Sequence, residues 1–133
     1  MLSQTVEYAL RATLYIARHP RAVRLPEIAK AADAPPRYLA KILGHLAREG
    51  ILNSTRGPSG GFRLAARPHA LSLSDIVAVF DKAEPRRCLL GHGTCGSHPE
   101  CAVHERWLPI ATSMGEFFGR TTIADLLSSR TPS

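Results

Sequence analysis

Apolar residues recur at Val6, Leu10, Leu14 and Ala17, with Ala9, Thr13 and Ile16 beside them, which predicts an amphipathic helix over the first seventeen positions. Ser3 suits its N-cap, and His19-Pro20 ends it. Pro26 fits a first-turn position of a short second helix through Glu27, Ile28, Ala29, Ala31 and Ala32, which stops near Asp33. Pro35 and Pro36 then open a third helix, whose buried face is Leu39, Ile42, Leu43 and Leu46 and whose stop is Gly50. Two helices joined across a tight turn make a helix-turn-helix pattern.

Behind Gly50 the period changes. Ile51-Leu52-Asn53-Ser54-Thr55 and Phe62-Arg63-Leu64 read as short strands around the tip Arg56-Gly57-Pro58-Ser59-Gly60-Gly61, a hairpin in the position of a wing. Ser72 or Ser74 caps a fourth helix through Asp75–Phe80, and residues 84–99 have loop character. Beyond Cys101, the residues Val103, Trp107, Ile110, Met114 and Phe117 advance by four, three, four and three positions, with Phe118 widening the stripe. That is the seam of a long helix that packs on a partner subunit or on its own domain, with Pro109 expected to kink it. A last short helix is expected over Thr121–Leu127. The fold class that follows is mainly α with a small β-hairpin: a winged helix-turn-helix domain over residues 1–83, then a cysteine-rich loop and a long C-terminal helix, the candidate dimerisation helix, over 84–133.

Charge sharpens this division. The 133 residues carry a net charge of +6, but residues 1–67 hold eleven Lys or Arg against Glu7, Glu27, Asp33 and Glu49, a net of +7, and the remainder holds six against seven, a net of −1. Such asymmetry fits a phosphate-facing module joined to a neutral one. No apolar run reaches the roughly 18 residues of a membrane span, and Glu7 and Arg11 interrupt the N-terminal one, so neither a membrane segment nor a signal peptide is expected. The expected location is the cytoplasm.

The three cysteines are an odd number for a disulfide framework. Cys88 and Cys95 enclose six residues and Cys95 and Cys101 five, gaps wider than the two to four residues of common zinc-ligand pairs. An iron–sulfur cluster spreads its thiolate ligands further apart and accepts a non-cysteine ligand. His104, His92, His98 and Glu7 are the candidates for that fourth position. His104 lies three positions beyond Cys101 and shares a helix face with it if the helix has begun there.

The stretches Val6-Glu7-Tyr8-Ala9-Leu10-Arg11, Tyr38-Leu39-Ala40-Lys41-Ile42-Leu43 with Gly50-Ile51-Leu52, and the wing Arg56-Gly57-Pro58-Ser59-Gly60-Gly61-Phe62-Arg63-Leu64-Ala65 resemble the Rrf family of bacterial regulators. The resemblance covers nearly the whole chain. It implies a homodimeric winged helix-turn-helix regulator bound to a double-stranded DNA operator, with cluster ligands at Cys88, Cys95 and Cys101. The iron–sulfur-assembly branch implies a 2Fe-2S cluster with His104 as fourth ligand, although the first cysteine gap here is one residue longer. The nitric-oxide-responsive branch implies a 4Fe-4S cluster completed by a carboxylate from the partner subunit, and Glu7 falls at that position. His104 and 2Fe-2S are preferred.

In a winged helix the third helix enters the major groove and the wing the minor groove, which makes Arg37 and Lys41 the base-reading candidates. Arg56 suits a narrow minor groove, while Tyr38, Arg63, Pro35 and His45 are expected as structural or phosphate contacts. Two alternatives stand beside this reading. One keeps the regulator and makes the cysteines a thiol redox switch or zinc site; the other is an enzyme built on Cys101 and His104. No small-molecule substrate is expected.

Overall fold

The computed structural model describes residues 2–81 and 102–129. The loop expected over residues 84–99 and the ligand candidates Cys88, His92, Cys95, His98 and Cys101 lie outside the described residues. Among those described, the order is α1 (Gln4–Ala17), α2 (Leu25–Ala32), α3 (Pro36–Arg48), β1 (Leu52–Thr55), β2 (Gly61–Leu64), a 3₁₀ turn at Pro68–Ala70, α4 (Leu73–Phe80), α5 (His104–Arg120) and α6 (Ile123–Ser128). The fold class read from the sequence is the one observed: mostly helical, with one two-stranded antiparallel hairpin.

Ser3 caps α1 by accepting from the Val6 amide at 3.2 Å. The centre of the buried face of α1 is Val6, Ala9, Thr13 and Ile16 together with Tyr8 and Ala12, whereas Leu10, Leu14 and Ala17 are only partly buried. The expected stripe is therefore rotated by about one position. The reason is that α1 is enclosed on several sides, packing against α2, α3, α4, α6 and β2. Close approach on that many sides favours the small Ala9 and Ala12 at the centre over the larger leucines.

α2 ends on Asp33 with φ at +52°, the one described non-glycine residue with a positive φ, in a conformation that a short polar side chain tolerates. The Arg11 guanidinium donates to the Ala32 carbonyl at 2.8 Å and satisfies one of the orphan acceptors at that helix end. α3 buries Leu39, Ile42, Leu43 and Leu46 as expected. It closes in a Schellman motif, with Gly50 N–H donating to Ala47 O at 3.1 Å and Ile51 N–H to Leu46 O at 3.0 Å. The chain thereby leaves α3 directly into β1.

β1 and β2 pair in register from Leu52↔Leu64 to Thr55↔Gly61, and Val23 adds an isolated bridge to Phe62. α4 starts with a capping box, in which Ser72 Oγ accepts from Asp75 N–H at 3.2 Å and Asp75 accepts from Ser72 N–H at 2.9 Å. α6 starts with a second one, built from Thr122 and Asp125. The two starts are paired: Leu73 N–H donates to Thr121 O at 2.9 Å and Ile123 N–H to Leu71 O at 2.8 Å. This places Ile123 at 0% exposure in the same core as α1 and α3.

α5 continues through Pro109, which leaves the Glu105 carbonyl without its helical donor; both residues are exposed, so water can satisfy that group. Among the described residues no helix is long and apolar enough to cross a membrane. Because Ile123 is fully enclosed, Ile123→Ala should cost about 2–4 kcal/mol of stability through lost burial and a residual cavity. Urea denaturation checks this, and a loss below about 1 kcal/mol would show that α6 is not part of the cooperative core.

Candidate nucleic-acid interface

With Leu39, Ile42, Leu43 and Leu46 turned inward, α3 leaves Arg37, Lys41 and Arg48 exposed. Steps of four and seven residues put these three on one face, over a length of about 16 Å. Between them stand Ala40 and Gly44, which give the face little relief, and a Cβ at Gly44 would meet nothing within 4 Å. Arg37, Lys41 and Arg48 have no hydrogen-bond or ion-pair partner among the described residues. Arg48 joins the stripe that the sequence reading built on Arg37 and Lys41, and its spacing of seven residues from Lys41 carries the signal.

The charge at the start of α3 is unusual within this fold. The first turns of α1, α2, α4, α5 and α6 carry Glu7, Glu27, Asp75, Glu105 and Asp125, as the positive end of a helix dipole favours. α3 carries no acid there and has Arg37 instead. A cation beside a positive helix end is unfavourable in the free protein and is relieved by an anion arriving from outside.

Tyr38, 43% exposed, is held by α1: its hydroxyl meets the Thr5 hydroxyl, and its ring meets Tyr8 edge-on at 5.8 Å. Pro35 is the N-cap of α3. His45 packs edge-on against Phe80 at the end of α4, with ring centroids 5.2 Å apart. These contacts fix the angle at which α3 stands on the body.

The hairpin tip depends on two glycines that admit no side chain. A Cβ on Gly60 would lie 2.4 Å from the Thr55 carbonyl oxygen, and one on Gly61, whose φ is +140°, would lie 2.5 Å from that of Val23. Arg56 and Arg63 are exposed and unpaired among the described residues, and Arg24 donates to the Pro58 carbonyl at 2.7 Å. The structure thus collects Arg37, Lys41 and Arg48 on one helix face and Arg56 and Arg63 on the hairpin that follows it.

A further clasp joins α1 to α2. Glu27 accepts from Tyr15 Oη at 2.5 Å and from the Arg21 guanidinium at 2.8 and 3.2 Å. The hydrogen bonds from Arg21 and Tyr15 hold the Glu27 carboxyl well below its ordinary 4.5, at about 2, and the same bond pushes the Tyr15 phenol up.

Of the cluster candidates among the described residues, Glu7 is exposed in the first turn of α1 and His104 is the half-buried first residue of α5. The helix begins at His104 itself, with Ala102 and Val103 in a turn. No group of three or more His, Cys, Asp or Glu gathers for a metal among the described residues.

The Glu27 carboxylate is favoured in the folded state, so its contribution is complete above the ordinary carboxylate range and disappears as pH falls through about 2. Glu27→Gln should therefore be less stable than wild type at pH 6, with the difference shrinking steadily below pH 4.5. Urea midpoints at several pH values measure it; a constant gap would show that the clasp does not depend on the carboxylate.

Comparison with known proteins gives a consistent family. The Rrf2 family, described as an iron-dependent transcriptional regulator, matches residues 2–129. A putative HTH-type transcriptional regulator of Aquifex aeolicus is 37% identical over 96% of this chain and 92% of its own. The HTH-type transcriptional regulator IscR of Vibrio parahaemolyticus is 27% identical over 96% of this chain and 77% of its own. Among solved structures, CymR, the global cysteine regulator of B. subtilis, superimposes with a TM-score of 0.81 at 26% identity, covering 98% of both chains.

Proposed function

The chain belongs to the Rrf2 family of DNA-binding transcriptional regulators, and we propose that within it this protein is a homodimeric repressor whose operator affinity follows an iron–sulfur cluster held by Cys88, Cys95, Cys101 and His104. The observation that carries the DNA reading is the unpaired basic face of α3 followed by a glycine-built hairpin. Arg37 and Lys41 read base edges in the major groove, Arg48 and Arg63 meet phosphates, Tyr38 orients the helix, and Arg56 enters the minor groove. Residues 1–83 bind DNA, and residues 84–133 sense and dimerise.

Support for the cluster comes from the donor set and the family. Three thiolates and one imidazole form a set that a 2Fe-2S cluster accepts, and the family is described as iron-dependent. When bound, the cluster supplies a redox couple that responds to its surroundings. His104 orients one end of the site from the first turn of α5. Phe80 ends α4 next to the cysteine-bearing segment, and its ring rests against His45 of α3, so a shift at the start of that segment bears on the recognition helix. Glu7 from the partner subunit is the alternative fourth ligand and goes with a 4Fe-4S cluster.

Dimerisation uses α5, where Ile110 and Phe117 are each 53% exposed on the seam that also carries Met114. Large apolar side chains in such a row are what a symmetric helix pair buries. A second reading keeps the fold and the operator but makes Cys88, Cys95 and Cys101 a thiol switch or zinc site. The likeness to CymR, described as a global cysteine regulator, fits it.

Two measurements test these assignments. Protein purified without oxygen should contain iron and sulfide. His104→Ala should lose the cluster or change its absorption and Mössbauer spectra, while Glu7→Ala should not; the reverse result would select Glu7 and the larger cluster, and colourless, iron-free protein would select the thiol or zinc reading. On a duplex selected by the wild type from a random-sequence pool, Arg37→Ala or Lys41→Ala should weaken binding by about 1–3 kcal/mol and relax preference at particular bases. Arg48→Ala should instead weaken all sequences alike and lower the salt slope by about 0.9. Unchanged affinity in all three variants would remove α3 from the interface.

A further inference from the structure

We infer that Arg24 is a positioning residue for the wing: through its bond to the Pro58 carbonyl it sets where the tip carries Arg56 relative to α3, and so fixes the spacing of the two groove contacts within one DNA half-site. This rests on the DNA-binding reading above and adds the residue that makes the wing a defined reader.

The hairpin has only four residues in each strand, and its ladder ends at Thr55↔Gly61. A two-stranded hairpin of that size is marginal without outside support. The body supports it from two consecutive residues. Val23 exchanges both backbone hydrogen bonds with Phe62, at 2.9 and 2.8 Å, and so holds the base. Arg24, the next residue, reaches the tip and donates to Pro58 O at 2.7 Å. Within the tip itself the Gly60 amide bonds to Gly57 O at 2.9 Å; among the described residues, the Arg24 bond is the one that ties residues 56–60 to the helices. A glycine-rich tip has many conformations to lose on entering a groove, and a tether that removes some of them beforehand lowers the cost of binding.

The identity of residue 24 makes sense for the wing and not for the helix that it begins. Arg24 is the N-cap of α2, yet its side chain makes no capping bond. Ser, Thr, Asp or Asn would offer a side-chain acceptor to the Glu27 amide, which bonds the Arg24 carbonyl at 3.1 Å, and a cation beside the positive end of the helix dipole is unfavourable. The position thus forgoes a helix cap and places a long donor where the tip can be reached.

This separates stability from affinity. Arg24→Ser supplies a cap to α2 and removes the tether, so its melting temperature should equal or exceed that of the wild type while affinity for a duplex selected by the wild type falls about fivefold. In an Arg56→Ala background the same change should have little further effect on affinity or on the salt slope, because the contact it positions is already gone. Arg24→Lys, which keeps one donor, should recover part of the loss. Equal losses in both backgrounds, or a salt slope that falls by about 0.9 on adding Arg24→Ser to Arg56→Ala, would make Arg24 a phosphate contact and overturn the inference. A lowered melting temperature in both Arg24→Ser and Arg24→Lys would overturn it too, by making the residue one of folding. If the wild type selects no duplex at all, the DNA reading fails first and the inference with it.

Discussion

The wing and the helix-turn-helix are one unit because no side chain stands between Gly61 and Val23. A methyl group there would be 2.5 Å from the Val23 carbonyl oxygen, so only glycine lets β2 close on the segment between α1 and α2. The two backbone bonds between Val23 and Phe62 follow from that approach. They set the direction of the hairpin, and the Schellman turn at Gly50 sets the direction in which α3 feeds it. α3 and the hairpin are consecutive in the chain and are both pinned to the α1–α2 pair, which is what allows two groove contacts to have a fixed relation.

Against that rigid frame, the charges of α3 stand out as unresolved in the free protein. The other helices start with an acid in the first turn, and Arg21 pairs with Glu27. Along α3, Arg37, Lys41 and Arg48 have no counter-charge among the described residues, and the helix start lacks an acid. Mutual repulsion of three cations at a solvated surface is small and screened by salt, so the fold tolerates it. An anionic duplex converts the same arrangement into attraction and releases counterions.

Much of this was legible in the sequence because it depends on local rules. The ends of α2 and α3 are punctuated by Pro26, Pro36 and Gly50, and the inward face of α3 by an uninterrupted helical spacing. What escaped depends on neighbours distant in the chain. The one-position rotation of α1 arises because helices from both ends of the sequence enclose it, and no pattern internal to residues 2–17 encodes that. Nothing in the sequence marks Arg24, since its partner is 34 positions away. Ile123 sits in an ordinary short amphipathic helix, and only the pairing of the Ser72 and Thr122 caps brings it into the core. The cysteines, the strongest chemical signal in the sequence, lie outside the described residues, so their assignment rests on spacing, donor chemistry and family.

That return of α6 changes what the cysteine-bearing segment can do. If α5 and α6 were a separate arm, a change in residues 82–101 would move the arm and leave α3 alone. Instead, the chain leaves the core at α4 and comes back to it at Ile123, while α5 packs on α4 along the way. The segment is thus tied in sequence to helices that share one core at both ends. Packed cores shift between discrete arrangements and do not deform continuously. On the proposed reading, a rearrangement at the cysteines is therefore taken up at α4, whose last residue, Phe80, already bears on His45 of the recognition helix.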